Sequence, residues 1–269
     1  MYTINPTTLQ LISTPRLNAF KQGLLRNPHS HSQEELIGSY IWNQQMAACL
    51  YPLLQNLEIF LRNAIDEAAR KQYGDFWWDT IDCHNRNNYF FSNIQKAKQN
   101  LDNEWKKNHW TRTHRPTPPQ WSHDKIIAAT EFSTWVYLFD KDFIQAANAT
   151  PTTKYLFPSL LGKMFHQWHK ILGHNKQHVA IKKDIRDLLE ELRIYRNRIA
   201  HHEPTWLKAQ PTMTPTSSLA TIEDKIKKIE KIYQLIHPDV HKYMLSNGFV
   251  DAAFNHCKLD ILEKYQGIA

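Results

Sequence analysis

The sequence predicts an all-α protein, and three observations carry that reading. Long stretches place apolar residues at three- and four-residue steps, the period of a helix face. No alternation of apolar and polar residues lasts more than a few positions, so strands are not expected. Only 7 glycines occur in 269 residues, too few for turn-rich sandwiches or glycine-looped nucleotide folds. No segment recurs at a fixed period, which excludes a solenoid.

In chain order, Thr14-Pro15 opens a short helix, a capping hydroxyl followed by proline, that runs to about Asn27-Pro28. A long helical pattern spans Gln33 to about Gln72, with a break or bend expected near Pro52. Leu54, Leu57, Leu61, Ala64, Ile65 and Ala68 form its later stripe, and Gly74 stops it. Residues 74–89 are expected to be irregular, followed by a helix from Phe90 to Asn108. Three prolines make 109–121 irregular. Ser122 to Asp140 is expected to be helical with a break near Ser133, 146–158 a loop, and Leu160 to Leu172 helical. Val179 to Ala200 is the longest clean helix after that. It ends before Glu203-Pro204, because proline disfavours the α conformation in the residue preceding it. Residues 203–217 are irregular, Thr221 to Leu235 is a lysine-rich amphipathic helix, and Pro238 starts a last helical pair. A single domain over residues 1–269 is expected.

The net charge of +7 favours polyanionic partners, though charge alone does not select nucleic acid. Cys49, Cys83 and Cys257 are scattered and form no CxxC pair, as free thiols in a reducing compartment would be. The first residues lack the basic and apolar regions of a secretory signal. No apolar run approaches the roughly 20 residues of a membrane helix. A cytoplasmic protein with no membrane partner follows as the expectation. His166, His169, His174 and His178 cluster in sequence, but without cysteine or an HExxH arrangement they do not suggest zinc. No metal and no cofactor is expected.

The anomaly lies at the end of the 179–200 helix. On a helical wheel of about 100° per residue, Leu188, Tyr195 and Ile199 lie on one side of Leu192, and Ile185 and Leu189 on the other. Arg196 falls about 40° from Leu192, inside the same apolar arc. A guanidinium cannot be neutralised, so it must snorkel, find a carboxylate such as Glu58, or serve a ligand. His201 and His202 follow one turn later. Histidines at a helix end also cap its carbonyls.

The string Tyr195-Arg196-Asn197-Arg198-Ile199-Ala200-His201-His202-Glu203-Pro204 resembles the RNxxxH form of the Rx(4–6)H motif of HEPN domains, specifically their bacterial Abi-like (abortive-infection) branch. LEIFLRNAID (Leu57 to Asp66) resembles that branch's first helix, and EFSTWVYLF (Glu131 to Phe139) its central aromatic segment. Together the three ordered blocks imply a HEPN-like helical bundle with additional helices and long irregular loops. In active members they also imply metal-independent endoribonuclease chemistry.

These residue types suit that chemistry. RNA supplies its own nucleophile, the 2′-hydroxyl. Histidine titrates near neutrality and can take or give the proton, while arginine presents a charged fork to the phosphate oxygens. Asn197, four residues before His201, can orient the imidazole or hold the ligand. Spacing leaves His201 and His202 both open, and the resemblance favours His201. One histidine does not readily serve as both acid and base across one phosphate. The resemblance implies composite sites, so a homodimer is expected. The segment containing Arg62-Asn63 offers no second motif, since its next histidine is His84. Glu58, Arg62 and Asn63 are supporting candidates. In 109–123, Trp110, Arg112 and Arg115 combine stacking surfaces with cations suited to RNA, as does Arg198. Other readings of the same features are a non-catalytic RNA-binding module and a helical module that docks a protein such as an antitoxin.

Overall fold

The computed structural model describes residues 6–146, 150, 152–173, 177–206 and 213–268. Among these residues the fold is all-α, with fourteen α-helices, one 3₁₀ turn and no strand. The only pairing resembling a sheet there is an isolated parallel bridge between Ile144 and Phe157. The chain divides into two compact units. One takes residues up to Leu57, Ile194–Ile232 and Asp239 onward; the other takes Glu58–Arg193 and Tyr233–Pro238.

The first unit opens with α1 (Pro6–Ile12) and α2 (Thr14–Leu24), followed by the start of α3 (Gln33–Tyr73). A reciprocal capping box starts α3: Glu35 N donates to Ser32 Oγ at 3.0 Å, and Ser32 N to Glu35 Oε2 at 3.1 Å. Of the break or bend expected near Pro52, the break does not occur: α3 runs as one helix of 41 residues. Leu50, Leu53, Leu54 and Leu57 are all buried around the proline, and their burial carries the backbone past one missing donor. The unit also takes the end of α10 (His178–Ala200), most of α11 (Pro215–Ile236), α12 (Pro238–Ser246), α13 (Phe249–His256) and α14 (Leu259–Gln266). The expected last pair is therefore three helices. Their seat on α3 is close. Trp42 stacks on His256 with centroids 5.7 Å apart, and a Cβ on Gly38 would sit 2.0 Å from the Tyr265 carbonyl oxygen.

Helix α11 begins at Pro215, six positions before the expected Thr221. Thr214 and Ser217 cap it reciprocally, Ser217 N to Thr214 Oγ1 at 3.2 Å and Thr214 N to Ser217 Oγ at 2.9 Å. Within the expected 203–217 irregular stretch, residues 207–212 lie outside the described residues, as do 147–149 and 151 of the expected 146–158 loop.

In the second unit, Gly74 at φ 85° stops α3 as expected, donating its amide to Arg70 O at 2.8 Å. The irregular stretch 74–89 contains a short helix, α4 (Trp77–Thr80). Asn88 caps α5 (Tyr89–His109) through Phe91 N. The predicted 122–140 helix divides into α6 (His123–Ala128) and α7 (Phe132–Tyr137), with the break at Thr130 rather than Ser133. The buried Thr130 hydroxyl donates to Ile127 O at 2.7 Å and accepts from Trp135 Nε1 at 3.0 Å, a local alternative to helical bonding. The predicted 160–172 helix divides into α8 (Leu161–Met164) and α9 (Trp168–Leu172). The His166 and Gln167 amides between them donate to Ile236 O and Leu235 O instead. Phe132, Trp135, Val136, Leu138 and Phe139 are all buried, so the aromatic block at 131–139 is core.

Candidate functional site

The last turn of α10 is built from the core outward. Tyr195 is 2% exposed, and its hydroxyl donates to Thr205 O at 2.7 Å. Burial pushes that phenol well above the ordinary tyrosine range, so it stays a donor. Thr205 is fully buried and gives both its amide and its hydroxyl to Asn43 Oδ1, at 2.8 and 2.9 Å. Trp206 is buried beside it, edge-on to Phe20 at 5.4 Å. The indole lies so close to Gly23 that a Cβ there would be 2.4 Å from Nε1. The chain leaving the helix is thus anchored within the first unit at three consecutive points.

The helix end itself is a Schellman motif. His202 has φ 58°, the left-handed conformation usual at this position, and its amide donates to Ile199 O at 3.1 Å. The Glu203 amide closes the wider loop onto Arg198 O at 2.9 Å. Arg16 of α2 donates to His202 O at 2.8 Å. Arg198 turns back on the chain, donating to Pro204 O at 3.2 Å and Trp206 O at 3.0 Å, with Glu203 Oε2 3.2 Å from its other terminal nitrogen. Arg198 is therefore a clamp on the 203–206 segment. Both of its terminal nitrogens face oxygens of that segment.

Arg196 and Asn197 are half-buried, while His201 and His202 are exposed. The His201 amide completes the last helical bond, to Asn197 O at 2.9 Å. Arg196, Asn197, Arg198, His201 and His202 thus share one helix end, with Arg198 and the His202 backbone holding the turn. Sequence reading missed the supports Arg16, Gly23 and Asn43. The available signal was an asparagine directly after the apolar pair Ile41-Trp42 and an arginine directly after Thr14-Pro15.

Glu58, Arg62 and Asn63 belong to the second unit. There Arg62 Nε donates to Asn63 Oδ1 at 3.3 Å, with Arg62 half-buried and Asn63 exposed. Trp110, Arg112 and Arg115 are exposed on the loop between α5 and α6 of that unit. Sequence reading also missed a buried polar centre beneath that loop. Asp66 Oδ1 accepts from Trp77 Nε1 at 2.8 Å and lies 3.0 Å from His123 Nε2, and the His123 ring stacks on Trp78 at 5.2 Å. Among the described residues no three His, Cys, Asp or Glu side chains gather as a metal site would need. His174 of the histidine run lies outside the described residues. None of the described helices is long and apolar enough to cross a membrane.

Fold and site together define a helical protein with a cationic, histidine-bearing turn closed against its own core. The family model of the Abi-like protein matches residues 7–207, well over half the chain, and the chain belongs to that family. The match takes in the whole α10 turn together with Arg16, Gly23 and Asn43. No curated protein and no solved structure matches the chain.

Proposed function

We propose that this Abi-like protein is a HEPN endoribonuclease acting in the cytoplasm as an abortive-infection effector of the toxin type. One observation carries the proposal. Arg196, Asn197 and His201, the residues of an RNxxxH string, occupy the last turn of a helix whose end is held by Schellman bonds, Arg16 and Arg198. A turn fixed in this way preorganises its side chains, and preorganised charge is what stabilises a developing phosphorane.

In the proposed reaction the substrate's 2′-oxygen attacks its own phosphorus and the bond to the 5′-oxygen breaks. The ends left are a 2′,3′-cyclic phosphate and a 5′-hydroxyl. An imidazole accepts the 2′-proton, and a second acid protonates the leaving oxygen. The Arg196 guanidinium holds the non-bridging oxygens, and Asn197 orients the His201 ring. His201 takes the role of reacting histidine, as the RNxxxH spacing has it, and the His202 backbone serves the turn. The atoms balance without metal or cofactor.

Two such turns in a homodimer supply base and acid from opposite sides. RNA cleavage in EDTA by the wild type, lost in Arg196→Ala and His201→Ala, is the expected result. Cleavage that survives both substitutions refutes the site. Light scattering after gel filtration is expected to give twice the 31.8 kDa chain mass, and a fully active monomer rules out the shared site.

A further inference from the structure

The second unit carries a cleft that the α10 turn does not use. Leu101 and Trp105, on one face of α5, form one wall, and Trp121, Lys125 and Ala128 form the other, enclosing about 490 Å³. That volume lies within the range of ligand sites, and the lining is largely apolar and aromatic.

Its aromatic rings are held in place. Trp105 stacks face to face on His109 with centroids 4.3 Å apart and planes 9° from parallel. The Trp121 indole is fixed by a 2.7 Å bond from Nε1 to Asp102 Oδ1, and Lys125 Nζ sits 5.2 Å from its ring centre. Trp121 also borders a second cavity of about 340 Å³ on the side of Phe76 and Lys98. Helix α6, which carries Lys125, is anchored from below by the buried His123–Asp66 contact. The connecting loop adds a third indole. Trp110 is 42% exposed, tied by Nε1 to Pro116 O at 2.9 Å, and flanked by Lys106 at 5.4 Å and Arg115 at 5.6 Å. Glu104 and Lys125 are the charged residues that line the cleft itself, while the chain from Trp105 to Trp121 has Lys106, Lys107, Arg112 and Arg115 and not one Asp or Glu.

We infer that the Trp105–Trp121 cleft, together with Trp110 on the connecting loop, is a base-stacking site for single-stranded RNA. Flat rings offer a surface to any base, and the acid-free run of cations follows the phosphates. A duplex keeps its bases stacked inside, so unpaired strands are the form that fits. The inference rests on the ribonuclease reading for its choice of RNA and adds where the strand is gripped, with little base preference.

The test uses the full-length protein and a fluorescein-labelled 2′-O-methyl uridine 12-mer. This strand lacks the attacking hydroxyl, so binding is read by anisotropy without cleavage. An abasic strand of the same length is the control. Trp121→Ala and Trp105→Ala are each expected to weaken the uridine strand about tenfold, while the abasic strand binds the wild type weakly and is indifferent to both changes. Trp110→Ala and Lys125→Ala, at exposed positions, give the same test with less risk to folding and are expected to weaken it about threefold. Equal binding of uridine and abasic strands by the wild type, or unchanged binding by all four variants, overturns the inference. The two readings fail separately. Cleavage that needs His201 but ignores Trp105 and Trp121 removes the stacking site and leaves the nuclease. Ring-dependent binding with no cleavage does the reverse.

Discussion

His202 and His201 are neighbours with different work. His202 adopts φ 58°, which costs a side chain with a Cβ about 1 kcal/mol and costs glycine almost nothing. His202→Gly is therefore expected to raise stability by up to ~1 kcal/mol in urea titrations and to keep the RNA cleavage that His201→Ala loses. Loss of cleavage in His202→Gly would assign the reacting ring to the wrong residue. Lys182 gives a second residue-scale expectation. It is 5% exposed, its ammonium donates to the Phe139 carbonyl, and burial lowers its pKa from 10.5 to about 8, with Asp140 opposing the shift. Below pH 8 the folded state carries a desolvated cation. Between about 8 and 10.5 the unfolded chain binds the extra proton, so stability rises with pH across that window. Lys182→Met is expected to flatten that rise and to add of order 1 kcal/mol at pH 7, after the Phe139 carbonyl loses its donor. A rise across the same window that persists in the variant would show that another group drives it.

At the scale of the elements, helix identity was legible and helix boundaries were legible only where a local signal acted alone. Gly74 and Glu203-Pro204 stop their helices because backbone conformation decides there. Thr214-Pro215 carries the same cap-and-proline signal as Thr14-Pro15, and a helix starts at both places. Only the Thr214 hydroxyl caps, since Thr14 is already helical and Ser13 takes the cap position of α2 without a side-chain bond. The boundaries at Thr130 and at His166-Gln167 were not legible, since each depends on a partner distant in the fold or on a buried hydroxyl. Pro52 shows the opposite case, a strong local breaker overruled by burial on both sides. An internal proline still costs a helix up to ~3 kcal/mol, so Pro52→Ala is expected to stabilise the chain by ~1–3 kcal/mol in urea titrations. No gain, or a loss, would mean that the proline ring itself is needed for packing. The candidate site follows the same rule. Arg196, Asn197 and His201 were readable as a string, whereas the clamp role of Arg198 and the supports Arg16, Gly23 and Asn43 exist only once the 203–206 segment has folded back.

For the whole molecule, a basic all-α chain of the Abi-like family carries a hydrogen-bonded helix end in one unit and an aromatic cleft in the other. The proposed division of labour is cutting at the first and gripping at the second. It depends most on whether position 201 handles a proton during strand scission. The direct measurement is end-group analysis of RNA incubated with purified protein in EDTA. The account predicts 2′,3′-cyclic phosphate and 5′-hydroxyl ends from the wild type, with both absent in Arg196→Ala and His201→Ala. Intact RNA with the wild type, or 5′-phosphate ends, would contradict it.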